Sequence, residues 1–283
     1  MRLVAPTAFK GTMSPLEAAH HFALPGDRLL PLSDGGDGFL ECLYYTLGGN
    51  FKEYPAADPF GRVRLVPVLE LPDGTVAVES AKVIGLAGLD RLNPLTATSR
   101  GLGELLQTLQ SSPRLWIGLG GTATVDGGMS WPAFSLPTAT IFCDVRTGLS
   151  LAAAMFGPQK GAKPEEIPIL NERLLSLGLP TGKFTGAAGG LGGKLLSLGA
   201  TLAAGADEIL HVVNFDDHCK NCGAVVTGEG CLDKSTTEGK LPFVVAKRAR
   251  ELGLKTVGRF GCKGEGWELA ANLFDELVFE LDS

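Results

Sequence analysis

The last third of the chain alternates short apolar runs with amphipathic ones: "GAVVTGEG", "LPFVVAKRARELG", "KTVGRFG", "GWELAANLF" and "ELVFEL". Strand-length runs joined by single helical crossovers must lie parallel, and a parallel sheet is covered by helices on both faces. The N-terminus repeats the pattern. "MRLVAP" predicts a strand, "SPLEAAHHFA" a helix with Ser14 as N-cap and Pro15 at its first position, and "DRLLPLS" a second strand, which together make a βαβ unit. A helix over "GFLECLYYTLGG" then ends on Gly48 and Gly49. From Phe51 to Ser80 the apolar period is nearer two, with turn signals at "DPFG" and "PDGT", so antiparallel strands are expected there, followed by helix "TSRGLGELLQTLQ" and strand "RLWIGLG". The pattern implies an α/β fold of two α/β domains. One has a parallel sheet built from both chain ends, residues 1–50 and 205–283, and the other is inserted as residues 51–204, with a cleft between them.

Composition narrows the function. Across 283 residues, 45% are hydrophobic and 20% charged, so the chain is globular rather than disordered. A formal net charge of −6 argues against a nucleic-acid partner or an anionic membrane surface, either of which wants a basic face. No apolar run reaches the roughly 18 to 20 residues that span a bilayer, and the N-terminus enters a strand-like run without a signal-peptide core; a cytoplasmic protein, monomer or homodimer, is expected. The six cysteines are scattered through a large chain and are expected to be reduced thiols. The run "HCKNC", with His218, Cys219, Cys222 and then Cys231, offers zinc-type ligands, but no second cysteine pair follows, and a buried core role is the expectation.

The 39 glycines are far above ordinary usage, and the excess is expected to sit in loops. Four segments hold most of the chemistry: "SDGGDG" (Ser33 to Gly38), "GLGGTATVDGG" (Gly118 to Gly128), "GAAGGLGG" (Gly186 to Gly193) and "TGEGCLD" (Thr227 to Asp233). Three carry carboxylates and follow apolar strand-like runs, so in a parallel sheet they gather at the carboxyl edge where ligands bind. Backbone amides in such loops cradle phosphate, while carboxylates hold Mg²⁺ and bridge it to phosphate oxygens. Two familiar phosphate signatures fail. "GLGGTA" fits G-x-G-x-x-A, but Pro132 and Pro137 stand where a dinucleotide fold needs a helix, and "AGGLGGKL" has Ala188 and Leu195 where a P-loop needs Gly and Ser or Thr. Packing of a helix against its neighbour is the expected role of the second. Lys10, Arg100, Lys160 and Lys240 each stand beside glycine or a turn residue and are the candidate cations for a transferring phosphoryl group.

The stretches "APTAFKGTMSPLEAA", "PLSDGGDGF", "NPLTATSRGLGELL", "IGLGGTATVDGG", "FGPQKGA", "GAAGGLGG" and "VVTGEGCLDKSTTEGK" resemble, in order and over nearly the whole chain, the bacterial glycerate kinase family. That family phosphorylates D-glycerate from ATP with Mg²⁺, and its fold is two α/β domains, one flavodoxin-like and discontinuous, the other inserted. The resemblance implies catalytic roles for Lys10, Asp126 and Arg100, with Asp126 as metal ligand or as the base that takes the hydroxyl proton. Arg100 and Lys10 would face the glycerate carboxylate or the moving phosphoryl group. It further implies cofactor-binding roles for Gly120, Gly121, Thr122, Thr124, Gly228, Glu229 and Lys240, and metal-binding roles for Asp34, Asp37 and Asp233. ATP and glycerate are not assigned to separate loops, nor the product to the 2- or 3-phosphate.

The chain departs from the family at identifiable places. Thr7 and Ala8 replace an acid and a hydroxyl beside Lys10, "GEGCLD" with Lys234 and Ser235 replaces "GEGRID" and its following Gln, "CDVRTGL" replaces "CDVTNPL", and "SWPAFSLPTAT" replaces a longer excursion. Altered substrate choice, weak activity or a tolerated family variant are the readings these departures raise, and the alternative function is a catalytically weakened relative that binds a small organic acid or nucleotide without turnover.

Overall fold

Leu3 and Val4 have no exposed surface, as a strand inside a parallel sheet requires. They lie in β1 (Arg2–Val4), after which the chain forms β2 (Arg28–Leu29), β3 (Asn50–Ala57), β4 (Val63–Glu70), β5 (Thr75–Glu79) and β6 (Arg114–Leu119). The remaining strands are β7 (Ala139–Cys143), β8 (Thr201–Ala204), β9 (Ala224–Leu232), β10 (Lys255–Lys263) and β11 (Glu276–Phe279). In this computed structural model, which describes residues 1–280, the strands make two sheets, one in each of two units. The first unit is discontinuous, Met1–Leu47 together with Ala206 onward, and the second is Gly48–Gly205.

The sheet of the discontinuous unit has the order β11-β10-β9-β1-β2, with every pair parallel. Counted within the unit this is the flavodoxin-like order 2-1-3-4-5, whose direction of winding reverses between β1 and β9, and ligands of such sheets bind at the carboxyl ends of the strands beside that reversal. Helix Pro15–Phe22 forms because Ser14 caps it: Ser14 Oγ accepts from the Glu17 amide at 3.3 Å, and the Ser14 amide donates to Glu17 Oε2 at 2.7 Å. Its Ala18, Ala19 and Phe22 close over Val4, Phe9 and Val226, and a second core gathers Leu232, Ala246, Phe260, Ala270 and Phe274.

Two strand expectations are corrected here. "DRLLPLS" yields only the two residues of β2; Leu30 and Leu32 still donate to the carbonyls of Val4 and Pro6 at 2.8 and 3.0 Å, but Pro31 has no N–H to offer. The strand expected over "GAVVTGEG" runs two residues further, because β9 stays paired with β10 as far as Leu232 opposite Lys263, so most of the glycine-rich "TGEGCLD" segment is strand rather than loop. A Cβ on Gly228 would stand 1.6 Å from the Arg259 carbonyl oxygen, so glycine there allows the close approach of two strands. The expected helix over "GWELAANLF" contracts to Glu268–Ala271.

The inserted unit has the order β3-β4-β5-β6-β7-β8, antiparallel from β3 to β5 and parallel from β5 to β8. Val78, Ile84, Leu102, Leu106, Leu115, Ile117 and Ile141 are part of its main core. Helix Arg100–Thr108 supplies the crossover from β5 to β6. The "GAAGGLGG" helix, Ala187–Ser197, opens with three left-handed residues, Ala188, Gly189 and Gly190. A Cβ on Gly189 would lie 2.1 Å from the Thr124 carbonyl oxygen, and the Gly189 carbonyl accepts from the Gly127 amide at 3.1 Å. This segment packs backbone on backbone against the loop after β6. Among the described residues no helix is long and apolar enough to cross a membrane.

Candidate active-site residues

In the discontinuous unit a charged cluster stands at the carboxyl ends of β1 and β9. The chain leaves β1 beside β9, the Ala5 and Thr7 amides donating to Val226 and Gly228 carbonyls at 2.7 and 3.1 Å, which brings Lys10 past Gly230. Lys240 Nζ lies 3.6 Å from Glu229 Oε2 and 3.4 Å from Asp233 Oδ1. Asp233 caps the short helix Lys234–Glu238, its Oδ1 accepting from the Ser235 amide at 2.8 Å and from the Ser235 hydroxyl. Desolvation is the largest influence on the Asp233 carboxyl, but the Ser235 donors and Lys240 outweigh it and hold the pKa below its ordinary value. Glu229 goes the other way: desolvation pushes it up, reinforced by the negative charges of Asp233 and Asp34, against Lys240 and a 2.9 Å hydrogen bond from Thr236 Oγ1. Asp34 is also raised by desolvation, against the Gly36 amide and the charges of Lys10 and Lys240. Asp37, in the same turn, is exposed.

A raised carboxyl pKa means that the folded state disfavours the ionised form. Above the folded pKa Asp34 therefore subtracts from stability, and below the ordinary carboxylate range, where the group is protonated folded or unfolded, that cost disappears. Asp34→Asn is accordingly expected to melt higher than the parent at pH 7, with the advantage shrinking as the pH falls through the Asp34 titration. Melting curves across pH check this, and an Asn variant that melts lower at pH 7 would show that the two lysines outweigh burial.

In the inserted unit the centre is Asp126, 2% exposed, in the loop that follows β6. Its Oδ2 accepts from the Ser99 amide at 2.7 Å, from Ser99 Oγ at 3.0 Å and from Thr98 Oγ1 at 3.4 Å. Its Oδ1 is buried with no partner, as is Thr124 Oγ1. Lys160, 3% exposed, donates from Nζ to Thr122 Oγ1 at 3.1 Å and to the Thr124 carbonyl at 2.8 Å. Desolvation lowers its pKa to about 8, against the charges of Asp144 and Asp126. The Gly120 and Gly121 carbonyls are also engaged, by Ser80 Oγ at 3.1 Å and the Leu86 amide at 3.0 Å. The carbonyls of Gly120, Gly121 and Thr124 are thus committed inward, while Asp126 Oδ1 and Thr124 Oγ1 are buried side-chain oxygens without a donor.

Another expected residue follows Ser99 directly, its amide donating to Thr98 Oγ1 at 3.2 Å. Arg100, at the start of its helix, is exposed and pairs through Nε with Glu104 Oε1 at 2.7 Å, one turn along. Among the described residues no group of three or more His, Cys, Asp or Glu is placed to share a metal ion, so any divalent ion would take its remaining ligands from substrate and water. The "HCKNC" cysteines are not gathered with Cys231: Cys219 and Cys222 are buried thiols, whereas Cys231 registers opposite Cys262 on β10, and desolvation together with Cys262 pushes it up to about 11. Sequence reading passes over Thr98, Ser99 and Trp131, and names Lys160 only as a loop cation. Ser99 reaches Asp126 across 27 positions, which no local pattern reports.

Comparison with known proteins fits this arrangement. The glycerate kinase family model matches residues 2–133 and 132–279. Glycerate kinase of Bacillus subtilis (strain 168) is 32% identical over 321 aligned residues, covering 92% of this chain and 84% of that protein. Glycerate 2-kinase of Escherichia coli (strain K12) is 29% identical, with the same 92% and 84% coverage. A solved crystal structure, "putative glycerate kinase 2 from Salmonella typhimurium LT2", superposes with a TM-score of 0.76 at 26% identity, covering 98% of this chain and 89% of that one. With residues 2–133 and 132–279 matched in order and its α/β units formed as that resemblance implies, the chain belongs to the glycerate kinase family.

Proposed function

We propose that this chain transfers the terminal phosphoryl group of ATP to a hydroxyl of D-glycerate, with Mg²⁺, in the metabolism of organic acids. The observation that carries the reading is Asp126, a buried carboxylate with one oxygen saturated by Ser99 and Thr98 and the other left without a donor. An unpaired buried acceptor costs about 1–3 kcal/mol, a cost that a substrate hydroxyl donating to Oδ1 removes. Asp126 would receive that hydrogen bond and take the proton as the oxygen attacks phosphorus. Lys160 would hold the Thr122–Thr124 backbone in place and keep a positive charge near Asp126.

The charged cluster of the discontinuous unit suits a metal-bound polyphosphate. The negative charges of Asp34 and Asp233 both push Glu229 up, and a divalent cation would relieve that load. Asp34 and Asp233 would hold Mg²⁺, while Lys10 and Lys240 would offset the phosphate charge; exposed Asp37 is left out of the set. Bound there, Mg²⁺ supplies neutralisation of the charge that spreads over phosphate oxygens during transfer. Arg100 would exchange Glu104 for the carboxylate of glycerate.

ADP release is expected only when ATP, D-glycerate and a divalent ion are all present, and it should stop in excess chelator and resume when Mg²⁺ is restored. Undiminished turnover in chelator would refute the metal role. Binding of ATP and D-glycerate without ADP release would favour the reading of a relative that binds without turnover.

A further inference from the structure

Trp131 lies in the shortened segment "SWPAFSLPTAT", one residue before the overlap of the two pieces of the family match at residues 132–133. It is 8% exposed, and its indole Nε1 donates to Ser99 Oγ at 2.8 Å and to the Ser99 carbonyl at 3.0 Å. The indole N–H can only donate, so Ser99 Oγ must accept there, and its single hydroxyl proton is left for Asp126 Oδ2 at 3.0 Å. The direction of the chain from Trp131 through Ser99 to Asp126 is therefore fixed by chemistry. The seat of the indole is equally specific. A Cβ on Gly103 would stand 2.5 Å from Trp131 Cγ, so the helix Arg100–Thr108 lies directly on the ring, and Phe134 stacks beyond it with centroids 6.2 Å apart.

We infer that Trp131 and Ser99 are positioning residues for Asp126, locking one carboxylate oxygen so that the other is presented to the acceptor hydroxyl. This rests on the kinase reading above for the hydroxyl, but the relay itself is a property of the three side chains. Without the indole donor nothing holds the Ser99 hydroxyl in orientation, its proton is free to turn from Asp126 to backbone or solvent, and the carboxylate keeps the Ser99 amide but loses its fixed hydroxyl donor. Geometry held for attack is then lost while nucleotide binding is not.

The test is a double-mutant cycle with D-glycerate, ATP and Mg²⁺. Trp131→Phe, which keeps an aromatic ring and removes the N–H, is expected to lower kcat about tenfold with KM for ATP within about twofold, and to cost less than about twofold in an Asp126→Asn background. Equal losses in both backgrounds would make Trp131 a packing residue only and overturn the inference. If Trp131→Phe fails to fold, Ser99→Ala serves in the cycle, since the indole keeps the Ser99 carbonyl as its partner. Should wild-type protein not turn over D-glycerate, the kinase reading fails, and the relay is still read from the indole signals of the three tryptophans in a ¹H–¹⁵N spectrum. The signal missing in Trp131→Phe is expected to move in both Ser99→Ala and Asp126→Ala; a signal indifferent to Asp126→Ala would overturn the inference without reference to catalysis.

Discussion

Asp126→Asn is expected to lower kcat/KM for D-glycerate by about a hundredfold or more while the protein melts as before, each tenfold step corresponding to ~1.4 kcal/mol of transition-state stabilisation. The geometry explains why folding is spared. Ser99 presents an N–H and a hydroxyl to Oδ2, so the amide oxygen of Asn must turn to that side and keep both bonds. The NH₂ group then replaces the orphaned Oδ1, putting a donor where the substrate hydroxyl needs an acceptor. If Asp126 merely shaped its turn, Asn would serve as well, since either residue forms such turns. Steady-state kinetics beside a melting curve decide this, and wild-type turnover in a normally melting variant would remove Asp126 from the chemistry.

Lys160→Met should have the second large effect, a loss in kcat on the order of a hundredfold, the magnitude typical of removing one preorganised donor at a site of developing charge. Burial has lowered the Lys160 pKa from 10.5 to about 8, equivalent to ~3 kcal/mol of unfavourable ionisation at neutral pH. Methionine removes that cost but strands the Thr124 carbonyl, at about 1–3 kcal/mol, so stability should stay near that of the parent. The pH dependence gives the sharper readout. Between about 8 and 10.5 the unfolded chain binds a proton at Lys160 that the folded chain does not, so this residue makes the parent more stable as pH rises through that window. Activity should fall over the same window as the charge is lost. Lys160→Met is expected to lose both trends together, and an unchanged alkaline limb in its pH–rate profile would assign that limb to another group.

The alternation of "GAVVTGEG", "LPFVVAKRARELG" and "KTVGRFG" was enough to predict a parallel sheet, because a crossover helix fixes strand direction whatever the details of packing. Ser14 and Pro15 likewise announced their helix, since a capping box is local chemistry. Where that strand ends inside "TGEGCLD" is not legible locally: glycine signals both a turn and two strands approaching closely, and only the partner strand β10 distinguishes them. The Arg100–Glu104 pair is legible as an i,i+4 spacing on a helix surface. Asp126 stood out because glycine surrounds it. Its support did not, as Ser99 lies 27 residues away and Trp131 reaches Ser99 over 32, through contacts that exist only once β5, β6 and the helix between them are assembled.

The account is tested most directly by following phosphorus itself. Purified protein mixed with ATP, MgCl₂ and D-glycerate and watched by ³¹P NMR should show the terminal phosphate resonance of ATP replaced, mole for mole, by a phosphomonoester resonance of phosphoglycerate, its position identifying the 2- or 3-hydroxyl as acceptor. Loss of that ATP resonance into inorganic phosphate alone, or an unchanged spectrum with protein that binds both ligands, would contradict phosphoryl transfer to D-glycerate.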